Sequence, residues 1–320
     1  VLRSADNLTQ EGAVAGTRSA ALTAAETLST GAGSEISGGD IALTAPTIHT
    51  DGNVLASATL ALTAGSGGIT QNGVLVGQET RLSSEAGIAT RGSITGRQSA
   101  TLTAATTVAA LAGSALYGDA IALQGASVIT DGVINAGQSL AIQAGLGGTS
   151  NSGSLSAATT TITSEGRIDN TGILSATDTL TLETASVLTN AATLISGDDL
   201  AIHADQILNN GGVIWANDSI TLAATAALDP ASLVQNTNGR IEAFQGDLII
   251  RADEVANLGT APTIGESVIL KWLDQGQDEP FAPATEIATL IDPAYLDGAG
   301  RVLPAYAAQY TALFADLING

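Results

Sequence analysis

Residues 170–189 read NTGILSATDTLTLETASVLT, and residues 190–209 read NAATLISGDDLAIHADQILN. The two stretches align over their whole length. Each carries an apolar anchor (Leu174, Ile195) and a small-residue turn (Ser175-Ala176, Ser196-Gly197). An alternating apolar triplet follows (Leu180/Leu182, Leu200/Ile202), then a last apolar anchor (Leu188, Ile207). Self-similarity at a fixed short period is the signature of a repeat architecture.

Working outward, the inner residue of the triplet recurs at Leu22, Leu43, Leu62, Leu82, Leu102, Leu123, Ile142, Ile162, Leu182, Ile202 and Leu222. The steps are 21, 19, 20, 20, 21, 19, 20, 20, 20 and 20 residues, and a twelfth copy follows at Ile250 after a step of 28. A second column keeps the same beat at Val14, Ile36, Leu55, Leu75, Ile94, Leu116, Ile134, Leu155, Leu174, Ile195, Ile214 and Ile241. About twenty residues are too few for two helices and a turn. The spacing of two inside each triplet is the strand period, and Gly, Ser, Asn and Asp bound the triplets. One copy therefore supplies two or three very short strands, which bury apolar surface only when stacked on another copy. The expected fold is all-β, a right-handed parallel β-helix of about twelve coils, roughly 55 Å long at the usual inter-strand spacing.

Composition agrees with a narrow stacked core. The 320 residues include 37 Gly and only 3% aromatics, with no Cys and no Met. The absence of Cys excludes disulfides, thiol nucleophiles and zinc–thiolate sites. Lys+Arg number 10 against 31 Asp+Glu, a net charge of −21. Nucleic acid and anionic lipid both favour a basic surface, so neither is an expected partner, and no run of residues reads as a membrane span.

Turns recur at Gly38-Gly39, Asp51-Gly52, Asn72-Gly73, Arg91-Gly92, Asp131-Gly132, Thr171-Gly172 and Gly211-Gly212. Asn72, Asn151, Asn170, Asn190, Asn210 and Asn236 lie at or near these turns. They either form an amide ladder from coil to coil or serve only as good turn formers. Residues 223–240 hold an insertion with Pro230, expected as a loop thrown out of the stack. The coil from Arg240 to Asn257 resumes the pattern. After Asn257 the period is lost, and Pro262, Pro280, Pro283, Pro293 and Pro304 gather there with Tyr295, Tyr306 and Tyr310. The expected division is a repeat domain at 1–257 and a non-repeat segment at 258–320, with helices at 284–291 and 303–318, acting as a cap or the start of a receptor-binding region. Val1 begins in mid-pattern, which reads as an internal piece of a longer chain.

Copies such as DGNVLASATLALTA (51–64), DGVINAGQSLAIQA (131–144), TGILSATDTLTLET (171–184), GGVIWANDSITLAA (211–224) and NGRIEAFQGDLIIR (238–251) resemble the filamentous haemagglutinin repeat. The resemblance covers about residues 8–257. It implies a stalk on the outer surface of a Gram-negative cell, part of a large two-partner-secreted exoprotein of the haemagglutinin-type adhesin or contact-dependent growth inhibition class. The implied partners are an outer-membrane β-barrel transporter during export and a cell-surface receptor on a target bacterium or host cell.

Residues able to carry chemistry are few. Asp178, Asp198 and Asp218 occupy one position in three consecutive coils, with Asp119 at the same position further back. Stacked carboxylates either bridge a calcium ion or stand in water at a turn. His49 and His203 each lie two residues before an aspartate (Asp51, Asp205), without a second histidine to complete a metal set. Each reads as a solvated surface pair. Trp215 departs from the small-residue rule, as an exposed contact residue or a packing partner of the 223–240 insertion. The expectation is no catalytic, cofactor or metal site. The competing readings are a β-helical polysaccharide lyase or hydrolase, and a rod whose own surface binds glycans.

Overall fold

A twenty-residue coil cannot satisfy its own strand edges, so its backbone groups must pair with the coils before and after. The computed structural model describes residues 1–259, and among these every strand pairing is parallel, each coil bonded to its neighbours about twenty residues away. The result is a β-solenoid, a parallel β-helix. A typical coil contributes three strands, as in Ile173–Ala176, Leu180–Thr184 and Val187–Asn190. In the first half of the stack neighbouring strands run together through the corners, as in Glu35–Thr50 and Val133–Asn151.

Three ladders result. The second ladder carries the triplets, and its inner residues Leu22, Leu43, Leu62, Leu82, Leu102, Leu123, Ile142, Ile162, Leu182, Ile202 and Leu222 are at most 2% exposed. Ile250, on the last described coil, is only half-buried. The stack begins one level earlier than the repeats suggest, because Leu2 pairs with Leu22, giving thirteen levels among the described residues in place of twelve. At ~4.8 Å per level the stack is ~60 Å long.

The first ladder corrects the second apolar column at two places. Val54, not Leu55, pairs with Ile36 and Leu75 and is buried. Leu194, not Ile195, pairs with Leu174 and Ile214. Both positions offer two adjacent apolar residues, and a shift of one residue turns the side chain to the opposite face. Leu55 and Ile195 therefore point outward, half-buried.

The third ladder holds Leu28, Ile48, Ile69, Ile88, Val108, Val128, Thr149, Ile168, Leu188, Ile207 and Val234 in its interior. Two residues further on, each coil places a polar or small side chain inward at the corner. Gln10, Thr30, Thr50, Gln71, Thr90, Ala110 and Thr130 occupy it first. From there on it is asparagine: Asn151, Asn170, Asn190, Asn209, Asn236 and Asn257. Each Nδ2 donates to the Oδ1 of the next, at 2.7, 2.8, 2.8, 2.8 and 2.9 Å, and the Thr130 hydroxyl donates to Asn151 Oδ1 at 2.9 Å. The Nδ2 atoms also donate across the turn, as from Asn209 to the Gly212 carbonyl at 2.9 Å. The asparagines thus form the amide ladder, with three changes of membership, one of them the addition of Asn257 at its end. Asn209 stands in it where Asn210 was expected, again one of two adjacent candidates. Asn72 stands outside it, exposed and donating to Asp51 Oδ1 at 2.7 Å.

Turn glycines form a column beside this ladder. A Cβ on Gly73, Gly92 or Gly153 would lie 2.0 Å from the carbonyl oxygen of Gly52, Gly73 or Gly132 in the preceding coil, so only glycine lets the backbones approach there. Gly38-Gly39 is not part of this column. It lies at the opposite end of the first ladder, where Gly38 pairs with Gly16.

The corners between the second and third ladders reveal a longer period. From inner residue to inner residue they run Leu22–Leu28, Leu43–Ile48, Leu62–Ile69 and Leu82–Ile88, then repeat the same lengths at Leu102–Val108, Leu123–Val128, Ile142–Thr149 and Ile162–Ile168. Four coils therefore make a superrepeat of 80 residues. Special positions recur at that distance: Gly68 and Gly148 both have φ +80°, and Thr80 and Thr160 are both buried polar. The step series 21, 19, 20, 20, seen twice in the triplets, is its trace in sequence.

The insertion is narrower than expected. Residues 233–237 belong to the third ladder, so the excursion is confined to 224–232. It is closed by the Thr225 hydroxyl donating to Asp229 Oδ2 at 2.7 Å and by Leu228 at φ +65°. The expected helices at 284–291 and 303–318 lie outside the described residues.

Two measurements test this packing. Leu182→Ala should cost about 2–5 kcal/mol in chemical denaturation, whereas Thr181→Ala, which faces outward, should stay within about 0.5 kcal/mol. Asn190→Ala orphans buried amide groups of both Asn170 and Asn209 and should cost on the order of 2–4 kcal/mol; Asn72→Ala should cost almost nothing. Equal effects of the two asparagine substitutions would contradict the ladder.

Candidate functional site

The turn between the first and second ladders carries the aspartate column. Asp198 N–H donates to the Asp178 carbonyl at 2.8 Å and Asp218 N–H to the Asp198 carbonyl at 3.1 Å, so the three residues stack on consecutive coils. All three side chains are exposed. Asp199, beside them, accepts from the Ser219 N–H at 3.1 Å and so serves the turn. Among the described residues no group of three or more His, Asp or Glu side chains is disposed to hold a metal ion. Asp119 lies at an equivalent turn three coils earlier, separated from Asp178 by the turns at Gln138 and Ala158.

His49 is exposed. His203 corrects the reading of a solvated pair: it is only 8% exposed, paired with Ala223 of the next coil at the foot of the 224–232 excursion. Its register partner on the preceding coil is Glu183. Trp215 meets a second aromatic ring from the following coil. Its ring lies 6.4 Å from that of Phe244, tilted by 36°, and both stand on the outer side of the first ladder.

The structure adds a groove that the sequence reading did not contain. It is open, about 290 Å³, at the corner between the second and third ladders. Its rim carries Thr103, Gln124, Gln143 and Glu165, and its floor is Ala and Gly, including Ala104, Gly125 and Ala144. The groove lies where the short corner Leu123–Val128 recedes beneath the long corner Ile142–Thr149. The equivalent short corner one superrepeat earlier holds Pro46 at the place of Ala126. Corner length was the signal available in sequence. Chemically the groove offers amides, a hydroxyl and one carboxylate. Glycoside hydrolysis uses a pair of carboxylates across the scissile bond, and the lining supplies only Glu165.

Against known families, residues 3–58 and 169–229 match the haemagglutinin repeat model. The chain therefore contains a filamentous haemagglutinin-type repeat region. Residues 59–168, between the two matches, continue the same three ladders without a break. Comparison with curated proteins and with solved structures finds no match.

The aspartate column separates two outcomes. If the carboxylates are merely solvated, Asp198→Asn should leave stability unchanged or slightly raised at low salt, the gain vanishing in salt, and calcium should not shift the melting point. A melting point raised by calcium in the natural chain but not in the variant would establish a bridged ion.

Proposed function

We propose that residues 1–257 of this filamentous haemagglutinin-type repeat region are a non-enzymatic stalk segment of a large secreted exoprotein. In this reading the stalk projects a distal recognition or toxin-bearing region from a Gram-negative cell surface. The observation that carries it is the sustained stacking: about thirteen levels follow one another in parallel register around an apolar interior that runs from Ala20 to Val234. Such a stack resists bending because each coil is hydrogen-bonded and packed on both sides. The family match supports an adhesin-type, surface-exposed setting.

The finer assignments follow from the same reading. Export proceeds unfolded through an outer-membrane β-barrel partner, and the absence of cysteine leaves no thiol to cross-link on the way. Residues 258–320, where the repeat ends and prolines and tyrosines gather, begin a cap or receptor-binding region. The adhesin and contact-dependent inhibition roles share this geometry, with the stalk as spacer in both. No helix among the described residues is long and apolar enough to cross a membrane.

The test compares residues 1–257 with the full chain for binding to whole bacterial and host cells. Binding by the full chain alone is the expected result, with the repeats acting as spacer. Equal binding by both would overturn this division of labour and make the stalk surface itself adhesive.

A further inference from the structure

The outer face of the first ladder differs from the rest of the stack. Its outward positions from Asn53 to Trp215 include no charged residue, in a chain of net charge −21. The outer faces of the other two ladders carry charges such as Arg81, Glu183, Arg167 and Asp169. Val74, Tyr117, Val133 and Ile173 stand exposed on the first ladder's face, Ile173 at 48%. All three aromatic residues among the described residues, Tyr117, Trp215 and Phe244, lie on this face or at its edge.

The concentration is greatest around Trp215. Ile195 is its register partner on the preceding coil, Val213 is its neighbour on the same strand, and Phe244, 63% exposed, meets its ring. The aspartate column borders this patch directly. Phe244 N–H donates to the Ala216 carbonyl and Gly246 N–H to the Asp218 carbonyl, so the aromatic pair and the acidic turn share the same two coils. On the following coil Val213 and Trp215 are in register with Arg240 and Glu242, which are paired with each other, so the patch is bounded by that ion pair as well as by the acidic turn. Tryptophan and its aromatic neighbours anchor protein interfaces, and an apolar centre with a charged rim is the anatomy of such surfaces. A second copy of this chain would bring a second acidic rim against the first. A partner with the opposite rim would not.

We propose that the patch around Ile195, Val213, Trp215 and Phe244 docks a protein segment in which apolar side chains alternate with lysine or arginine. The apolar residues cover the Trp215–Phe244 pair, and the basic ones face Asp178, Asp198 and Asp218. This site lies on the side of the stack and is independent of the stalk reading. It gives the aspartate column a role in pairing rather than in metal binding.

The test uses the full chain carrying Trp272→Phe, so that Trp215 is its one tryptophan. The probes are a synthetic peptide of alternating lysine and valine, its glutamate–valine counterpart, and polylysine. The lysine–valine peptide should shift Trp215 emission to shorter wavelength and bind at least tenfold more tightly than either control. Asp178→Asn, Asp198→Asn and Asp218→Asn together should weaken it several-fold and flatten its salt dependence. Loss of Trp215 should also abolish tight binding. Trp215→Ser is suited to this, since Ser156 and Ser175 occupy the same column and the variant should fold with an unchanged circular dichroism spectrum. Equal binding of polylysine, or of the glutamate peptide, would overturn the proposal. So would a sedimentation result showing that the face is occupied by a second copy of the chain.

Discussion

Each coil of this protein depends on its neighbours for backbone hydrogen bonds it cannot make alone. A strand of four residues, such as Val187–Asn190, has almost no partner within its own turn of chain, so its N–H and C=O groups pair with the coils on either side. That pairing requires successive coils to return to the same place after about twenty residues. The rest of the structure follows from it. Aliphatic side chains align into interior columns because register is kept, and asparagine amides align into a ladder for the same reason. Turn glycines are required where returning backbones come within contact distance.

The uniformity of the interior contrasts with variety outside. Inward positions repeat the same few residue types because each must fit against its equivalents above and below. Outward positions are free of that constraint, and there the chain places what distinguishes one level from another: the acidic turn at Asp178, Asp198 and Asp218, the aromatic pair of Trp215 and Phe244, and the groove beside Gln124 and Gln143. A stalk built this way can change its surface coil by coil without disturbing its stability. Individual surface ion pairs contribute little to that stability: Arg81–Glu79, Arg167–Asp169 and Arg240–Glu242 each join residues two apart on one exposed strand face.

Much of the fold was legible in the sequence because strand alternation and coil length mark the same positions. The column from Leu22 to Leu222 needed only the spacing of two within a triplet and of twenty between triplets. Ambiguity arose where two adjacent residues had equal claims: Val54 and Leu55, Leu194 and Ile195, Asn209 and Asn210. Period alone does not choose between neighbours; the hydrogen-bond register of the flanking coils does. The contact of Trp215 with Phe244 was invisible for a related reason, since it is made by a residue of the following coil. The 80-residue superrepeat was present in the step lengths, but its consequence, a short corner set back between longer ones, emerges only once the corners are stacked.

The most direct test is a deletion matched to the period. Removing residues 171–190 excises one complete coil and joins Asn170 to Ala191 in the register that Asn190 had. The account predicts a folded protein with the same circular dichroism spectrum and nearly the same melting point, shorter by one inter-strand spacing of about 4.8 Å. Removing only residues 171–180 should instead leave a half coil that cannot fill all three ladders, breaking the pairing at that junction and lowering the melting point well below that of the natural chain. Similar damage from both deletions, or tolerance of the shorter one, would contradict an architecture held together by coil-to-coil register.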